Sequence, residues 1–270
     1  MSARYVTAKH VRALADRLSD RDWLVLERVT ALRFVSGSQL TRLCFADSDD
    51  PAVNARSARR ALLRLTRLAV LERLPRSVGG VRAGSAGFVY RLGLGGQRLA
   101  ASRGLLPARQ RRRSLIPGTL FLSHTLQIAE LHTRLIESER SGRCELLKLD
   151  GEPSCHRIND GLDGQRVLLR PDTYVRLGIG PYEDSYFIEV DRGTEGSRAL
   201  TDQLRRYVAY YQTGREQTEH GVFPKVLWLA ETPERVRVIA DCVAALPSEY
   251  RALFAVAQFD HALRFMLEPV

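Results

Sequence analysis

Two acidic residues lie two positions apart in the segment FIEVDR, residues 187–192. Its alternation of apolar and charged residues predicts a half-buried strand, with Glu189 and Asp191 on the same face. Two like charges on one face repel each other, so a compensating positive charge is expected beside them. A divalent cation and a neighbouring arginine are both candidates for that charge.

A third acid and two helical residues complete a candidate constellation. Asp172 lies in RVLLRPDTYVRL, residues 166–177, which we predict to be the strand before FIEVDR. Gln203 and Tyr207 lie four residues apart in the following predicted helix, GSRALTDQLRRYVAYYQT, and therefore share one of its faces. An acid on each of two adjacent strands, followed by this helix, occurs by chance less often than any one of these features alone.

Structural roles are equally open for these residues. Asp172 follows a proline and fits a turn that bonds a backbone amide. Tyr207 fits a packed core. The two strand acids fit ion pairs with arginines, namely Arg170, Arg192 or Arg205.

Composition limits the class of protein. The chain has 270 residues, of which 44% are hydrophobic and 27% are charged, so it can bury a core. Its four cysteines are scattered without a CxxC pair, which argues against a zinc cluster and a disulfide scaffold. No apolar run approaches the length of a membrane span, and the first residues lack a signal-peptide pattern. A cytoplasmic location without membrane contact is therefore expected.

The charge is divided unevenly along the chain. Residues 1–118 carry 23 Lys+Arg and 8 Asp+Glu, whereas residues 119–270 carry 18 and 23. The basic part suits a polyanion such as double-stranded DNA, and the acidic part suits a cation or a solvated surface.

The basic part has the pattern of a winged helix-turn-helix. A helix over RDWLVLERVTALRF, capped by Asp20, precedes a short helix, SQLTRLCF, and a long amphipathic helix at about residues 52–68. The inward-facing residues of the long helix are predicted to be Ala58, Leu62, Leu65 and Ala69. The strands VLERLPRSV and FVYRLG then form a wing around a glycine-rich tip.

An exposed helix of this kind fits the major groove of DNA, where arginines contact phosphates and base edges. The predicted DNA-binding residues are Arg56, Arg59, Arg60, Arg64 and Arg67 on the long helix, and Arg76 and Arg82 on the wing. A winged helix used for protein contacts is the alternative interpretation.

The segment between the two parts contains LLPARQRRRSLIP, with proline near both ends, and is predicted to be a linker. We therefore expect a winged-helix domain at residues 1–103, a basic linker at 104–118 and a second domain at 119–270. Just before the linker, LGLGGQR lacks the third glycine of a dinucleotide fingerprint, so it is interpreted as the turn from the wing strand to a helix.

The second domain has a different rhythm. A long helix from Thr119 precedes the strands CELLKLD, RVLLRPDTYVRL and SYFIEVDR, then a helix, the strand PKVLWLAE and a last helix from Thr232 to about residue 245. This order predicts an α/β domain with a mixed central sheet.

This order and its acids resemble the restriction-endonuclease-like PD-(D/E)xK nuclease fold. The RPD at residues 170–172 is similar to the first motif of that fold, Glu189 to the acid of the second, and QLRRY at residues 203–207 to the QxxxY helix of RecB-type nucleases. With a winged helix in front, the chain resembles the replication-relaxation family of plasmids and integrative elements, which is related to the endonuclease-like relaxases. The fold class implied is α/β, or α+β overall, with a winged helix-turn-helix followed by a restriction-endonuclease-like mixed-sheet domain.

The resemblance implies that Asp172 and Glu189 bind Mg²⁺ or Mn²⁺ and that Gln203 and Tyr207 belong to the catalytic site. The family pattern places lysine two residues after the glutamate, where this chain has Asp191. Three compensations are open: Lys148 on the neighbouring strand supplies the amine, Arg192 supplies positive charge, or Asp191 holds a second metal ion. Glu130 on the long helix is a further, weaker candidate near the metal.

The function expected from the resemblance is relaxase-like, metal-dependent nicking of DNA in plasmid replication or transfer. The alternative is a catalytically inactive DNA-binding regulator or relaxosome accessory that keeps the nuclease fold as a scaffold. Other relaxosome or replication proteins are expected partners, and a homodimer is compatible with the sequence. The six histidines form no His-apolar-His triplet, which excludes relaxases of the two-histidine kind.

Overall fold

The computed structural model describes residues 8–74, 87–106, 117–160 and 166–268. The chain forms two compact units, residues 1–133 and residues 134–270. Both helices and strands are abundant, which confirms the predicted mixed α/β class. Across the described ranges, no helix is long and apolar enough to cross a membrane.

The first unit contains five helices and three short strands within its described residues, together with the start of a sixth helix. The helices are α1 (Ala8–Ala15), α2 (Asp20–Leu32), α3 (Gly37–Cys44), α4 (Pro51–Arg67), α5 (Leu94–Ser102) and α6 (Thr119–Arg140), and the strands are β1 (Val35–Ser36), β2 (Leu71–Arg73) and β3 (Val89–Leu92). The strands form an antiparallel sheet in the order β1-β3-β2. The helices α3 and α4 are followed by the hairpin of β2 and β3, and β3 also pairs with β1. This is the arrangement of a winged helix-turn-helix.

The start of α2 differs by one residue from the prediction. Ser19, and not Asp20, is the N-cap, and it forms a capping box with Asp22. Asp22 also accepts hydrogen bonds from Arg64 of α4 at 2.6 Å to each carboxylate oxygen. One buried carboxylate therefore both caps α2 and ties it to α4.

The long helix α4 has the predicted amphipathic character. Asp50 caps it and Pro51 occupies its first turn, where a missing amide costs nothing. Ala58, Leu62 and Leu65 are buried as expected. The prediction for Ala69 is wrong, because the helix ends at Arg67 and Ala69 lies in the following turn with a positive φ of 54°.

The glycines of LGLGGQR allow α5 to start against the turn between α4 and β2. A Cβ atom on Gly93 would lie 2.4 Å from the carbonyl oxygen of Ala69, and one on Gly96 would lie 2.1 Å from that of Val70. No side chain fits at these distances. The segment is the predicted turn from the wing strand to a helix.

The second unit is built on a five-stranded sheet. The strands of this unit are β4 (Glu145–Gly151), β5 (Arg157–Asp160), β6 (Arg166–Leu169), β7 (Thr173–Ile179), β8 (Tyr182–Asp191), β9 (Lys225–Ala230) and β10 (Phe254–Gln258). Its helices are α7 (Ser197–Gln212), α8 (Arg215–His220), α9 (Pro233–Ala244), α10 (Ser248–Arg251) and α11 (Ala262–Leu267). A short 3₁₀-helix, Phe259–His261, precedes α11. The sheet order is β10-β9-β8-β7-β4, antiparallel from β4 to β8 and parallel from β8 to β10.

The single strand predicted for residues 166–177 is divided in the structure. β6 pairs with β5 in a separate two-stranded hairpin, and β7 begins only at Thr173. Pro171 lies in the break, since it cannot donate a ladder hydrogen bond. The break leaves Asp172 at the entrance of β7.

Helix α7 covers one face of this sheet. Phe187 of β8 lies at the centre of an aromatic cluster, with ring centroids of Tyr174, Tyr207, Tyr210 and Phe223 between 5.3 and 6.3 Å from its own. Aromatic pairs at such distances pack favourably beyond the area they bury. This cluster fixes the position of α7 over β7 and β8.

We expect Asp22→Ala to lower the free energy of unfolding of the first unit by about 2 kcal/mol, because it removes a capping box and one partner of an ion pair. Burial raises the pKa of Asp22, but hydrogen bonds from Arg64 and Ser19 outweigh this effect and leave the pKa below its usual value. The loss should therefore be full above about pH 4 and should disappear as the pH falls through the folded pKa.

Urea unfolding in a Trp228→Phe background, where Trp23 alone reports by fluorescence, measures this effect. Asp20→Ala is the matched control, since Asp20 is exposed and does not form the cap. Equal destabilisation by the two changes would contradict the role assigned to Asp22.

Candidate functional site

Asp172 lies close to Glu189 of the neighbouring strand, and its charge acts on the Glu189 carboxyl group. The last ladder pair of β7 and β8 is Thr173 with Ile188, and Asp172 immediately precedes this pair. The backbone amide of Asp172 donates to the carbonyl of Ile188 at 3.1 Å. Its carboxylate accepts the amide of Val190 at 2.7 Å. Asp172 therefore bonds a backbone amide, as the turn interpretation expected, and it also lies close to Glu189.

Glu189 is held by the two helical residues that the sequence singled out. Tyr207 donates its hydroxyl proton to Glu189 Oε1 at 2.5 Å, and the side chain of Gln203 also hydrogen-bonds this carboxyl group. Tyr207 is fully buried in the core as well, so its packing and site roles coexist. The structure brings Asp172, Glu189, Gln203 and Tyr207 together.

The electrostatics of this group are unfavourable for two negative charges. Burial raises the pKa of Glu189 well above its usual range, and the charge of Asp172 raises it further. The hydrogen bonds from Tyr207 and Gln203 act in the opposite direction but do not outweigh these effects. Because both donors are neutral, neither of them compensates the charge.

Tyr207 is set up as a hydrogen-bond donor. Burial, followed by the negative charge of Glu189, raises the pKa of its phenol well above the usual value. A phenol that keeps its proton is a poor nucleophile. Tyr207 therefore orients Glu189 and is not suited to form a covalent bond with a substrate.

Asp191 has a different environment from Glu189, although both are buried. Arg235 of α9 binds Asp191 through two contacts, from Nε to Oδ1 at 2.6 Å and from Nη2 to Oδ2 at 2.8 Å. The amide of Gly193 also donates to Oδ1. The arginine expected from the sequence thus exists for Asp191, but it is Arg235 and not one of the three arginines that the sequence suggested.

Those three arginines and Lys148 have other positions. Arg192 pairs with Glu231 at 3.3 Å and Arg205 with Asp202 at 3.5 Å, while Arg170 is exposed. Lys148 Nζ lies 3.4 Å from Asp150 Oδ2, and Lys148 pairs in the sheet with Arg176. The Lys148 ammonium also lies 5.8 Å from the ring centroid of Tyr174. Lys148 as the source of the amine stays a prediction.

The donor set fits a hard divalent cation. No group of three or more His, Cys, Asp or Glu side chains suited to a metal occurs in the part of the chain that the structure describes. Mg²⁺, however, is commonly held by one or two carboxylates and keeps several waters. Asp172 and Glu189 supply two such groups, and a cation between them would relieve their repulsion. Asp191, occupied by Arg235, is not available in the same way.

Glu130 has a structural partner in the first unit. Arg42 of α3 donates to both of its carboxylate oxygens, at 2.8 and 2.9 Å, and the amide of Gln39 donates at 3.3 Å. This ion pair fastens α3 to α6. It accounts for Glu130 without a metal.

The predicted DNA-binding arginines on α4 are exposed. They are Arg56, Arg59, Arg60, Arg64 and Arg67. Arg64 is partly committed to Asp22, and the Nε of Arg59 donates to the carbonyl of Ala55. The two wing arginines, Arg76 and Arg82, lie outside the described residues, and so does most of the predicted linker.

A second buried ion pair, which the sequence did not reveal, lies beside the carboxylates. Arg157 Nε donates to Glu216 Oε1 at 2.6 Å, and Tyr210 donates to the same oxygen at 2.7 Å. The guanidinium carbon of Arg157 is 4.6 Å from the ring centroid of Tyr174 and 5.2 Å from that of Phe187. These two rings form the register pair two steps from Asp172 and Glu189. No local pattern connects positions 59 residues apart.

Comparison with known proteins agrees with this architecture. Residues 26–226 match the family described as Replication-relaxation. No curated protein and no solved structure matches the chain significantly.

We expect Glu189→Gln to stabilise the second unit at pH 8, because it removes a buried charge while keeping the shape of the side chain. The folded pKa of Glu189 lies above the unfolded value of about 4.3. The protonated side chain of Glu189 therefore makes its full contribution to folding stability below about pH 4.3. The contribution is lost as the pH rises through the folded pKa, and stability should fall across this window in the native chain only.

Urea unfolding followed by Trp228 fluorescence between pH 4 and 8, in a Trp23→Phe background, measures the slope. Glu249→Gln serves as the control, since Glu249 is exposed. Mn²⁺ should restore stability at pH 8 in the native chain and not in Glu189→Gln. The same pH slope in the native chain and in Glu189→Gln would exclude Glu189 as its source.

Proposed function

Because the chain belongs to the replication-relaxation family, we propose that it is a DNA-binding protein that nicks one strand in a divalent-metal-dependent reaction. The family match covers about three quarters of the chain and indicates a role in the replication or transfer of a plasmid or related element. The nicking activity is the finer part of the proposal.

The observation that carries the proposal is the buried carboxyl group of Glu189 with a second acid beside it. Asp172 lies next to Glu189 at the entrance of β7, and both side chains that hydrogen-bond the carboxyl group of Glu189 are neutral. Asp191, by contrast, is bound by Arg235. A buried carboxyl group that has an acid beside it and hydrogen bonds from neutral groups favours a cation site.

The residues of the chain have distinct tasks in this proposal. Asp172 and Glu189 would hold Mg²⁺ or Mn²⁺, which when bound polarises a phosphoryl oxygen and favours ionisation of water. Tyr207 and Gln203 fix the orientation of Glu189, and the amide of Val190 fixes that of Asp172. Rigid support of this kind holds the carboxylates in a single geometry before substrate arrives.

A second function is favoured by one specific observation. Position 191, where the nuclease pattern has lysine, holds an aspartate bound to Arg235, and Lys148 is engaged by Asp150. Both observations weigh against an amine at the carboxylates. This arrangement suits a DNA-binding regulator or relaxosome accessory that keeps the nuclease-like sheet as a scaffold.

DNA binding is assigned in both cases to the winged-helix unit. Four exposed arginines on α4, namely Arg56, Arg59, Arg60 and Arg67, support an approach of this helix to phosphates and base edges.

We expect relaxation of supercoiled plasmid to require Mn²⁺ or Mg²⁺ and to fall by about 100-fold or more in both Asp172→Asn and Glu189→Gln, since each change removes a charged ligand of the cation. The assay is run with and without chelator. Asp241→Asn, a change of an exposed acid on α9, should leave the rate unaltered.

Lys148→Ala distinguishes the source of any positive charge at the site. Because the Lys148 ammonium is paired with Asp150, we expect its removal to leave nicking intact. Metal-independent nicking that survives both carboxylate changes would refute the enzymatic assignment. Absence of nicking with intact DNA binding would favour the regulator.

We expect Arg59→Ala/Arg60→Ala to weaken DNA binding and to reduce the slope of log Kobs against log[salt] by about 2, because each lost phosphate contact releases about one counterion fewer. Fluorescence anisotropy at several salt concentrations measures both quantities. Arg237→Ala/Arg264→Ala removes the same charge from highly exposed positions of the second unit and is the matched control. Equal slopes for the two variants would favour a winged helix that contacts protein.

A further inference from the structure

The β5–β6 hairpin lies between β4 and β7 in the chain and leads directly into Asp172. β6 ends at Leu169, and two residues separate it from Asp172. The hairpin is not part of the five-stranded sheet. Its position is therefore set by side-chain contacts at its base.

The base of the hairpin is rigidly anchored. Arg157 is bound to Glu216, donates to the carbonyl of Cys155 at 3.0 Å and lies over the rings of Tyr174 and Phe187. Opposite Arg157 in the hairpin, Leu169 is only 3% exposed. A buried charge paired in this way resists displacement, since separation would leave both charges uncompensated.

The other face of the hairpin carries an exposed apolar pair. Ile158 and Leu168 are cross-strand partners, one step from the buried pair, and so point to the opposite face. They are 56% and 36% exposed. Two adjacent aliphatic side chains on a rigid projection gain free energy when a partner covers them.

The surroundings of this pair are basic. Arg170 is exposed between the hairpin and Asp172, and exposed Arg215 donates to the carbonyl of Ile158 at 2.9 Å. Guanidinium groups beside an apolar pair suit a ligand that has both phosphates and flat apolar surfaces. DNA bases beside their own backbone have this combination.

We propose that Ile158 and Leu168 form a wedge that packs against unstacked bases, next to the phosphate that a cation at Asp172 and Glu189 would bind. The inference rests on the proposed function. Leu168 is four residues from Asp172, so the two lie at most about 14 Å apart, which is about four base steps. Aliphatic side chains are used in this way to unstack base steps in other DNA-binding proteins. The wedge selects DNA that is already unpaired or easily opened.

The test compares the affinity of the full chain for a DNA duplex and for the same duplex with a four-nucleotide unpaired bubble, in EDTA so that no cleavage occurs. We expect the native chain to prefer the bubble by about tenfold, as burial of two half-exposed aliphatic side chains would provide. A 2-aminopurine at the bubble edge should report unstacking on binding. Ile158→Ser/Leu168→Ser should lose the preference and the fluorescence signal while keeping duplex affinity.

Val222→Ser is the matched control, because Val222 is 59% exposed and lies outside the hairpin. Ile158→Ala gives a milder second variant, expected to lose part of the preference, if the double variant fails to fold by circular dichroism. An unchanged preference in the variants, or equal affinity of the native chain for both DNAs, overturns the wedge. The wedge is also overturned if the variants change self-association, measured by light scattering, and leave DNA binding unchanged. That result would identify this face of the hairpin as an interface between copies of the chain.

The outcomes separate this inference from the proposed function. A chain that nicks plasmid but shows no dependence on Ile158 and Leu168 refutes the wedge alone. A chain that selects bubbles through this pair but never nicks refutes the enzymatic assignment alone. Absence of any DNA binding overturns both.

Discussion

The repulsion between the carboxylates of Asp172 and Glu189 is the constraint on which the second unit depends. The start of β7 brings Asp172 close to Glu189, and burial of Glu189 removes the water that would screen its charge. Three donors, the Val190 amide, Tyr207 and Gln203, hold the carboxylates in place without neutralising them. The fold thus keeps a second acid beside a buried carboxyl group, and this raises the pKa of Glu189 well above its usual range.

The resemblance to the nuclease fold identified the members of this group in the sequence. A period of two in FIEVDR and a spacing of four in QLRRY depend only on local geometry, and both patterns survive folding unchanged. The α/β order and the amphipathic character of α4 were predictable for the same reason. Local signals also predict the long helix beginning at Thr119 and the helix after Thr232. The second helix begins with a proline and has Thr232 as its N-cap.

Contacts between distant segments could not be predicted in this way. Arg235 is 44 residues from Asp191, and Glu216 is 59 residues from Arg157, so the choice of partner depends on the tertiary arrangement of α8 and α9. The division of residues 166–177 into two strands was missed because its apolar pattern runs on through Pro171. Helix α1 and strand β10 were also missed, and the cap of α2 was placed one residue late. In each case the local pattern allowed more than one boundary, and tertiary packing selected among them.

The pairing of Asp191 with Arg235 has a consequence for substitution at position 191. Lysine placed at position 191 of the present chain would bring an ammonium group against a buried guanidinium. The same change would remove the carboxylate that binds this guanidinium. Introduction of lysine at position 191 would therefore need a coordinated change at position 235, 44 residues away. Residues in direct contact in this way are expected to have non-additive effects on stability.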